Sequence, residues 1–167
     1  SLHDALPIWR PAPGPRGRPP ARDRGSSGSH RASPSSLVGA AQLLLVDDNK
    51  VNQMIAKKTL EAAGFAVDVA DNGLVAVQLA SKHYYDVILM DCQMPEMDGM
   101  DATRQIRSNE GNRAHVPIIA LTAHALSDER ARCMAAGMDD FLGKPFTSAS
   151  LLAVVRKWLQ PAASASA

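Results

Sequence analysis

Cysteine is scarce. The chain holds two, Cys92 and Cys133, in no CxxC spacing, which excludes a secreted disulfide scaffold and points to a reducing interior. Charge of one sign is lacking as well: 18 Lys/Arg against 17 Asp/Glu leave a formal net charge of +1, so no polyelectrolyte character argues for nucleic acid. No apolar run approaches the roughly 20 residues that span a bilayer, and no secretory h-region is read at the N-terminus. What is present suits one ordinary globular domain: 167 residues, 46% apolar and 21% charged.

The near-zero net charge conceals an asymmetry. Residues 1–40 carry six Arg and two Asp, hence +4, and residues 41–167 carry 12 Lys/Arg and 15 Asp/Glu, hence −3. Seven of the 11 prolines and five of the 11 glycines also fall in residues 1–40. Such a stretch has almost nothing apolar to bury, so residues 1–40 read as a disordered linker or a non-native segment, the opening SLHDALPIW resembling translated adapter sequence. A basic arm for nucleic acid or acidic lipid is disfavoured because no aromatic residues interleave the arginines beyond Trp9. Residues 161–167, PAASASA, read as a disordered tail. The folded domain is assigned to residues 41–160.

Within that domain apolar strands alternate with amphipathic helices. Gln42–Val46, Phe65–Ala70, Val87–Met90, Pro117–Leu121 and Asp140–Leu142 read as strands, the second a half-buried edge strand. A helix follows Asn49 and stops at Gly64, and others cover Gly73–Lys82, with Leu74, Val77 and Ala80 on helical spacing, and Met100–Ser108. Ala131, Met134, Ala135 and Met138 predict the face of a fourth helix, and Leu151, Val154, Val155, Trp158 and Leu159 that of a fifth. Five βα units imply a parallel sheet covered on both faces, a flavodoxin-like three-layer α/β sandwich with strand order 2-1-3-4-5.

On that frame the polar residues collect at one edge. Asp47 and Asp48 end the first strand, Asp91 ends the third, Thr122 ends the fourth, and Lys144 follows the fifth. The first and third strands are neighbours at the switch point of the sheet, where ligands of such folds bind. Three ionised carboxylates gathered there repel, so either a pKa rises or a cation sits among them. All-oxygen ligands open to water suit Mg²⁺. Lys144 supplies a compact positive charge for phosphate oxygens, Thr122 a hydroxyl, and Asp91 a carboxylate nucleophile for an aspartyl-phosphate. Taken singly, each of these residues reads as a helix cap, a turn residue or a solvated charge. Their coincidence at strand ends favours chemistry.

VDDN at Val46–Asn49, MDCQMPEMDG at Met90–Gly99, ALTAHA at Ala120–Ala125 and DFLGKP at Asp140–Pro145 resemble the receiver domain of two-component response regulators, most closely receivers fused to hybrid sensor histidine kinases. The resemblance implies that Asp91 is the phosphoacceptor. It implies that Asp48, Asp91 and the backbone carbonyl of Gln93 ligate Mg²⁺, with Asp47 acting through water. Thr122 and Lys144 would bind the phosphoryl oxygens, helped by the N–H groups of Cys92 and Ala123. It also implies a cis Lys144–Pro145 bond and a switch made of Thr122 and Phe141, which repositions the face of the fourth helix, fifth strand and fifth helix. Phe141 stands where the family commonly carries tyrosine, so no hydroxyl is offered.

The implied function is self-catalysed acceptance of phosphoryl from a phosphohistidine on a histidine kinase or histidine phosphotransfer domain, then slow hydrolysis. The expected setting is the cytoplasm, as a monomer or weak phosphorylation-dependent dimer, with a membrane-anchored histidine kinase as a candidate parent protein and no direct membrane or nucleic-acid contact by this chain. A receiver-like docking module that is never phosphorylated is the competing reading. An aspartate-nucleophile phosphatase is disfavoured because Gln93 occupies the position of the general acid, and a flavin carrier because DDNKVN puts negative charge where a phosphate loop is needed. Cys92 reads as a small buried apolar residue, with redox sensing as an alternative. His124 reads as solvated, Met94 and Met97 as loop packing, and Arg130 and Arg132 as an exposed helix face.

Overall fold

A computed structural model describes residues 40–124 and 126–159. The readings of residues 1–39 as linker and of residues 161–167 as tail lie outside the described residues. Five strands alternate with five helices: β1 (Gln42–Val46), α1 (Lys50–Ala62), β2 (Ala66–Ala70), α2 (Gly73–Lys82), β3 (Val87–Asp91), α3 (Gly99–Glu110), β4 (Ile118–Thr122), α4 (Ser127–Ala136), β5 (Asp140–Gly143) and α5 (Ser148–Leu159). The strands form one parallel sheet of order β2-β1-β3-β4-β5, the flavodoxin-like α/β architecture expected. Among the described residues no helix is long and apolar enough to cross a membrane.

Successive strand side chains point to opposite faces of a sheet, and here both faces are apolar. Leu43, Leu45, Leu89, Ile119 and Leu121 pack with Ala56 and Leu60 of α1 and Leu151 and Val155 of α5. Leu44, Val46, Ile88, Met90, Ile118 and Ala120 pack with Ala76, Ala102, Ile106, Cys133 and Ala136 of α2, α3 and α4. The sheet is thereby stiff, and apart from Asp68 on the outer strand β2 its polar groups gather at the two ends of the strands.

Asn49, Asn72 and Asp98 cap α1, α2 and α3 with side-chain oxygens accepting backbone N–H bonds, each cap worth about 1 kcal/mol. The chain enters α4 at Leu126, which offers no such bond, and leaves it through Gly137 at φ +108°. The faces of α2 and α4 correct the sequence reading. Leu74 and Met134 are 45% and 44% exposed, and the buried positions are Gly73 with Ala76, and Cys133 with Ala136. In α2 the expected Val77 and Ala80 do pack against the core and only Leu74 turns outward, whereas in α4 small residues let the backbone sit close to its neighbours and Met134 faces outward. Met138, placed on the α4 stripe, is buried but lies beyond the end of that helix.

The edge of the sheet remote from the acidic residues is closed by Arg107. Its guanidinium donates to the carbonyls of Gly137 and Val116 at 2.9 and 2.8 Å, to Glu110 at 2.5 Å and to Asp139 at 2.7 Å. Asp139 also accepts from the Ile118 N–H at 2.9 Å and lies 2.6 Å from His115 Nε2. Removing one partner of a largely buried ionic network leaves the others uncompensated. We expect Arg107→Leu to lower stability in urea denaturation by about 3 kcal/mol.

Candidate functional site

At the C-terminal edge of the sheet each acidic side chain is fixed by the backbone that carries it. Asp47 leaves β1 with its N–H bonded to Ala70 O at 3.2 Å, and its Oδ1 accepts the Asn49 N–H at 2.8 Å. The Gln53 amide of α1 donates to the Asp47 carbonyl and, at 2.8 Å, to Asp71 after β2. Asp91 ends β3, and its Oδ1 accepts the Gln93 N–H at 3.1 Å. Lys144 N–H donates to Thr122 O at 2.7 Å, which sets the lysine at the end of β5. The Lys144–Pro145 peptide is cis, as the resemblance implied.

These constraints bring three strand ends to one point. Lys144 Nζ lies 3.0 Å from Asp47 Oδ2 and 3.1 Å from Asp91 Oδ2. One carboxylate oxygen from each of Asp47, Asp48 and Asp91 falls within 4.8 Å of the others. Asp47 and Asp91 are 2% and 5% exposed, and Asp48 faces solvent. Burial pushes the Asp91 carboxyl above its ordinary value against the opposing pull of Lys144 and the Gln93 N–H, and the Asp47 charge adds to the rise. For Lys144 burial acts downward, but its bonds to Asp47 and Asp91 outweigh it and hold the ammonium above its ordinary value. One ammonium against three carboxylates leaves negative charge in excess. An all-oxygen donor set with an open, solvated side at Asp48 fits a hard divalent cation of the Mg²⁺ type.

The remaining expected residues line the same edge, with one correction. The Cys92 N–H, expected to assist at the phosphoryl oxygens, donates to Leu121 O at 3.0 Å in the β3–β4 ladder, so it is already engaged; the N–H directed at the Asp91 carboxylate is that of Gln93. Thr122 lies beside Asp91, whose ladder partner is Leu121, but its hydroxyl turns back on its own loop. It donates to His124 O at 3.0 Å and accepts the His124 N–H at 3.1 Å. Ala123 and His124 are exposed on the rim. Phe141 is half-buried in β5, and the Arg130 guanidinium of α4 covers its ring at 4.4 Å, so Arg130 is more than a solvated charge.

Two contributors escaped the sequence reading. A Cβ on Gly99 would lie 2.1 Å from the Asp91 carbonyl, and the Gly99 N–H donates to Cys92 O at 3.2 Å. The loop after the phosphoacceptor candidate therefore closes only over a residue without a side chain. Gln53 is the other, and its signal was present: it shares an i, i+3, i+7 stripe with Ala56 and Leu60, where a polar residue needs a buried partner.

A parallel sheet with acidic residues and a lysine at its switch point defines a class of phosphoryl-handling α/β domains. The model of the response regulator receiver domain matches residues 43–156, and the chain belongs to that family. It is thus a receiver domain of two-component phosphorelay systems, related to the receivers of hybrid histidine kinases. Hybrid signal transduction histidine kinase B of Dictyostelium discoideum is 45% identical over 129 residues, 71% of this chain and 7% of that protein. The chain spans only a small fraction of the curated relatives it matches. Among solved structures, the receiver domain of sensor histidine kinase PA1611 from Pseudomonas aeruginosa, with magnesium coordinated in its active-site cleft, is 46% identical with a TM-score of 0.67, covering 72% of this chain and 98% of that one. The Saccharomyces cerevisiae co-crystal of the histidine phosphotransfer protein Ypd1 with the receiver domain of Ssk1 matches at 29% identity and a TM-score of 0.67, covering 72% of this chain and 89% of that one.

Two outcomes follow from this geometry. Gly99→Ala must displace the Asp91 backbone, and we expect a loss of about 3 kcal/mol in chemical denaturation, at the upper end for an overpacked site. Because the folded state holds the Asp91 proton more tightly than the unfolded chain does, the folded state binds more protons above pH 3.8, and this group's contribution to stability falls as pH rises. In metal-free buffer Asp91→Asn is therefore expected to melt above wild type at pH 7, with the gap closing as pH drops below 3.8. An equal gap at both pH values in thermal scans contradicts this origin.

Proposed function

We propose that Asp91 accepts a phosphoryl group from a phosphohistidine on a histidine kinase or a histidine phosphotransfer domain. A carboxylate oxygen of Asp91 attacks phosphorus, the P–N bond to the imidazole breaks, and the released imidazole takes up a proton. The observation that carries this reading is the shared ammonium of Lys144, 3.0 and 3.1 Å from Asp47 and Asp91. It keeps Asp91 close to a positive charge that an arriving phosphoryl group can share. Asp48, Asp91 and the Gln93 carbonyl, with Asp47 through water, would hold Mg²⁺, which would neutralise charge on the transferring group. The Gln93 and Ala123 N–H groups and the Thr122 hydroxyl supply donors to the phosphoryl oxygens, Thr122 after leaving His124. Phe141 then moves toward the space vacated, drawing on the face of α4, β5 and α5. A need for phosphohistidine donors supports a cytoplasmic setting for the domain.

The partner would meet the domain at α1, which begins two residues after Asp48. Val51, Met54 and Ile55 form an exposed apolar patch at i, i+3 and i+4 there. A histidine phosphotransfer protein co-crystallised with a receiver domain of this fold supports a partner of that class.

Incubation with acetyl phosphate and Mg²⁺ followed by a phosphate-affinity gel tests the acceptor. We expect a shifted band in wild type that is lost in Asp91→Asn and on chelation of the metal. No band in wild type, or one that survives in Asp91→Asn, overturns the assignment. Ile55→Asp is expected to take phosphate from acetyl phosphate as wild type does, but to slow transfer from a phosphohistidine donor by at least tenfold, the effect of about 1.4 kcal/mol.

A further inference from the structure

The two cysteines lie 41 positions apart in sequence, yet their Sγ atoms are 3.4 Å apart. Both residues are 1% exposed, and neither side chain has a part in the phosphoryl chemistry above. A disulfide bond is about 2.05 Å long, so closing one here asks for an approach of roughly 1.3 Å. The backbone of Cys92 is fixed, its N–H on Leu121 O and its carbonyl accepting from Gly99 at 3.2 Å. The movement therefore falls to Cys133, on a helix that starts without a side-chain cap and buries only two of its residues, Cys133 and Ala136. Elements attached in this way open locally at low cost. A void of about 520 Å³ between α4 and the loop after β3, bounded by Cys92, Gln93, Pro95, Asp98, Glu129 and Arg132, brings a small oxidant to the Cys92 side of the pair, and local opening of α4 brings Cys133 to the same space.

We propose that Cys92 and Cys133 form an oxidation site for hydrogen peroxide, closing a reversible disulfide between the end of β3 and α4. The Cys133 sulfur attacks a peroxide oxygen, the O–O bond breaks, and one water leaves as Cys133 becomes a sulfenic acid. The Cys92 thiol attacks that sulfur, the S–S bond forms, and the hydroxyl departs as a second water. The thiol pair loses two electrons, and the peroxide gains them. The product joins the residue after Asp91 to the helix whose Arg130 covers Phe141. A stapled α4 resists displacement, so oxidation opposes the switch; this consequence rests on the phosphoacceptor reading, whereas the disulfide itself does not.

The full chain is treated with hydrogen peroxide under native conditions, then alkylated after unfolding and mapped by mass spectrometry. We expect a protein lighter by two hydrogens, no alkylation, and one cross-linked peptide pair joining Cys92 to Cys133, all reversed by dithiothreitol. Cys133→Ala should give no cross-link and leave Cys92 available for alkylation. Asp91→Asn should form the disulfide as readily as wild type, which separates this site from the phosphoacceptor assignment. Thiols that remain free after peroxide, or sulfinic acids without a cross-link, overturn the proposal. Acetyl phosphate labelling should be severalfold slower in the oxidised protein and recover on reduction; a rate unchanged by oxidation overturns the opposition to the switch while the mapped disulfide stands.

Discussion

One ammonium shared by two buried carboxylates organises this domain. Lys144 belongs to the segment after β5, Asp47 to the end of β1 and Asp91 to the end of β3, so a single ion-pair cluster joins strands from the first, middle and last thirds of the folded region. It is tenable because the sheet below is apolar on both faces and cannot shift to relieve the repulsion. Burial disfavours charge on Asp91 and on Lys144 alike, and it is opposed at Lys144 by Asp47 and Asp91 and at Asp91 by Lys144 and the Gln93 N–H. Asp48, at the exposed side of the cluster, makes no ion pair among the described residues. The surplus negative charge is a standing invitation to a cation.

The two edges of the sheet make the meaning of that surplus plain by contrast. At the remote edge Arg107 meets Glu110, Asp139 and two carbonyls, and Asp139 is further bonded by Ile118 and His115. Every donor there has an acceptor within the protein, so that network needs nothing from outside. At the acidic edge the Lys144 ammonium bridges two carboxylates, and a third stands beside them. Both edges hold clustered charges within one stiff scaffold. One is saturated and structural, whereas the other is left unsaturated by design of its residue set, as sites for ligands are.

The strand order and the acidic cluster were legible because both depend on features that sequence states directly. Apolar runs ending in Asp91 or Thr122 name the strand and its end, and a five-strand parallel sheet leaves few orders. Helix faces were harder. Ala131, Met134 and Ala135 fit a helical stripe by size, but α4 packs through Cys133 and Ala136, and a helix rich in small residues satisfies more than one stripe. Gly99 was invisible for another reason: its role is a distance to the Asp91 carbonyl, and no spacing along the chain encodes that. The engaged N–H of Cys92 likewise depends on the register of β3 with β4, Asp91 opposite Leu121, which alternation alone cannot set. The contact between Cys92 and Cys133 lies 41 positions apart and becomes visible only once α4 is docked.

The acidic edge connects to an outer surface through modest contacts. The Thr122 hydroxyl rests on His124, Arg130 of α4 rests on Phe141, and α4 begins at an uncapped Leu126. None of these attachments is a buried ion pair or a large apolar anchor. A bound group shifts such a region only by its differential affinity for two arrangements, and each 1.4 kcal/mol of difference changes their ratio about tenfold. A cation–π contact of roughly 0.5–2 kcal/mol and a missing cap of about 1 kcal/mol are of that same size. The rigid sheet and the ion-pair cluster therefore hold the chemistry still, while modest contacts around Phe141 leave α4 within reach of whatever the cluster binds.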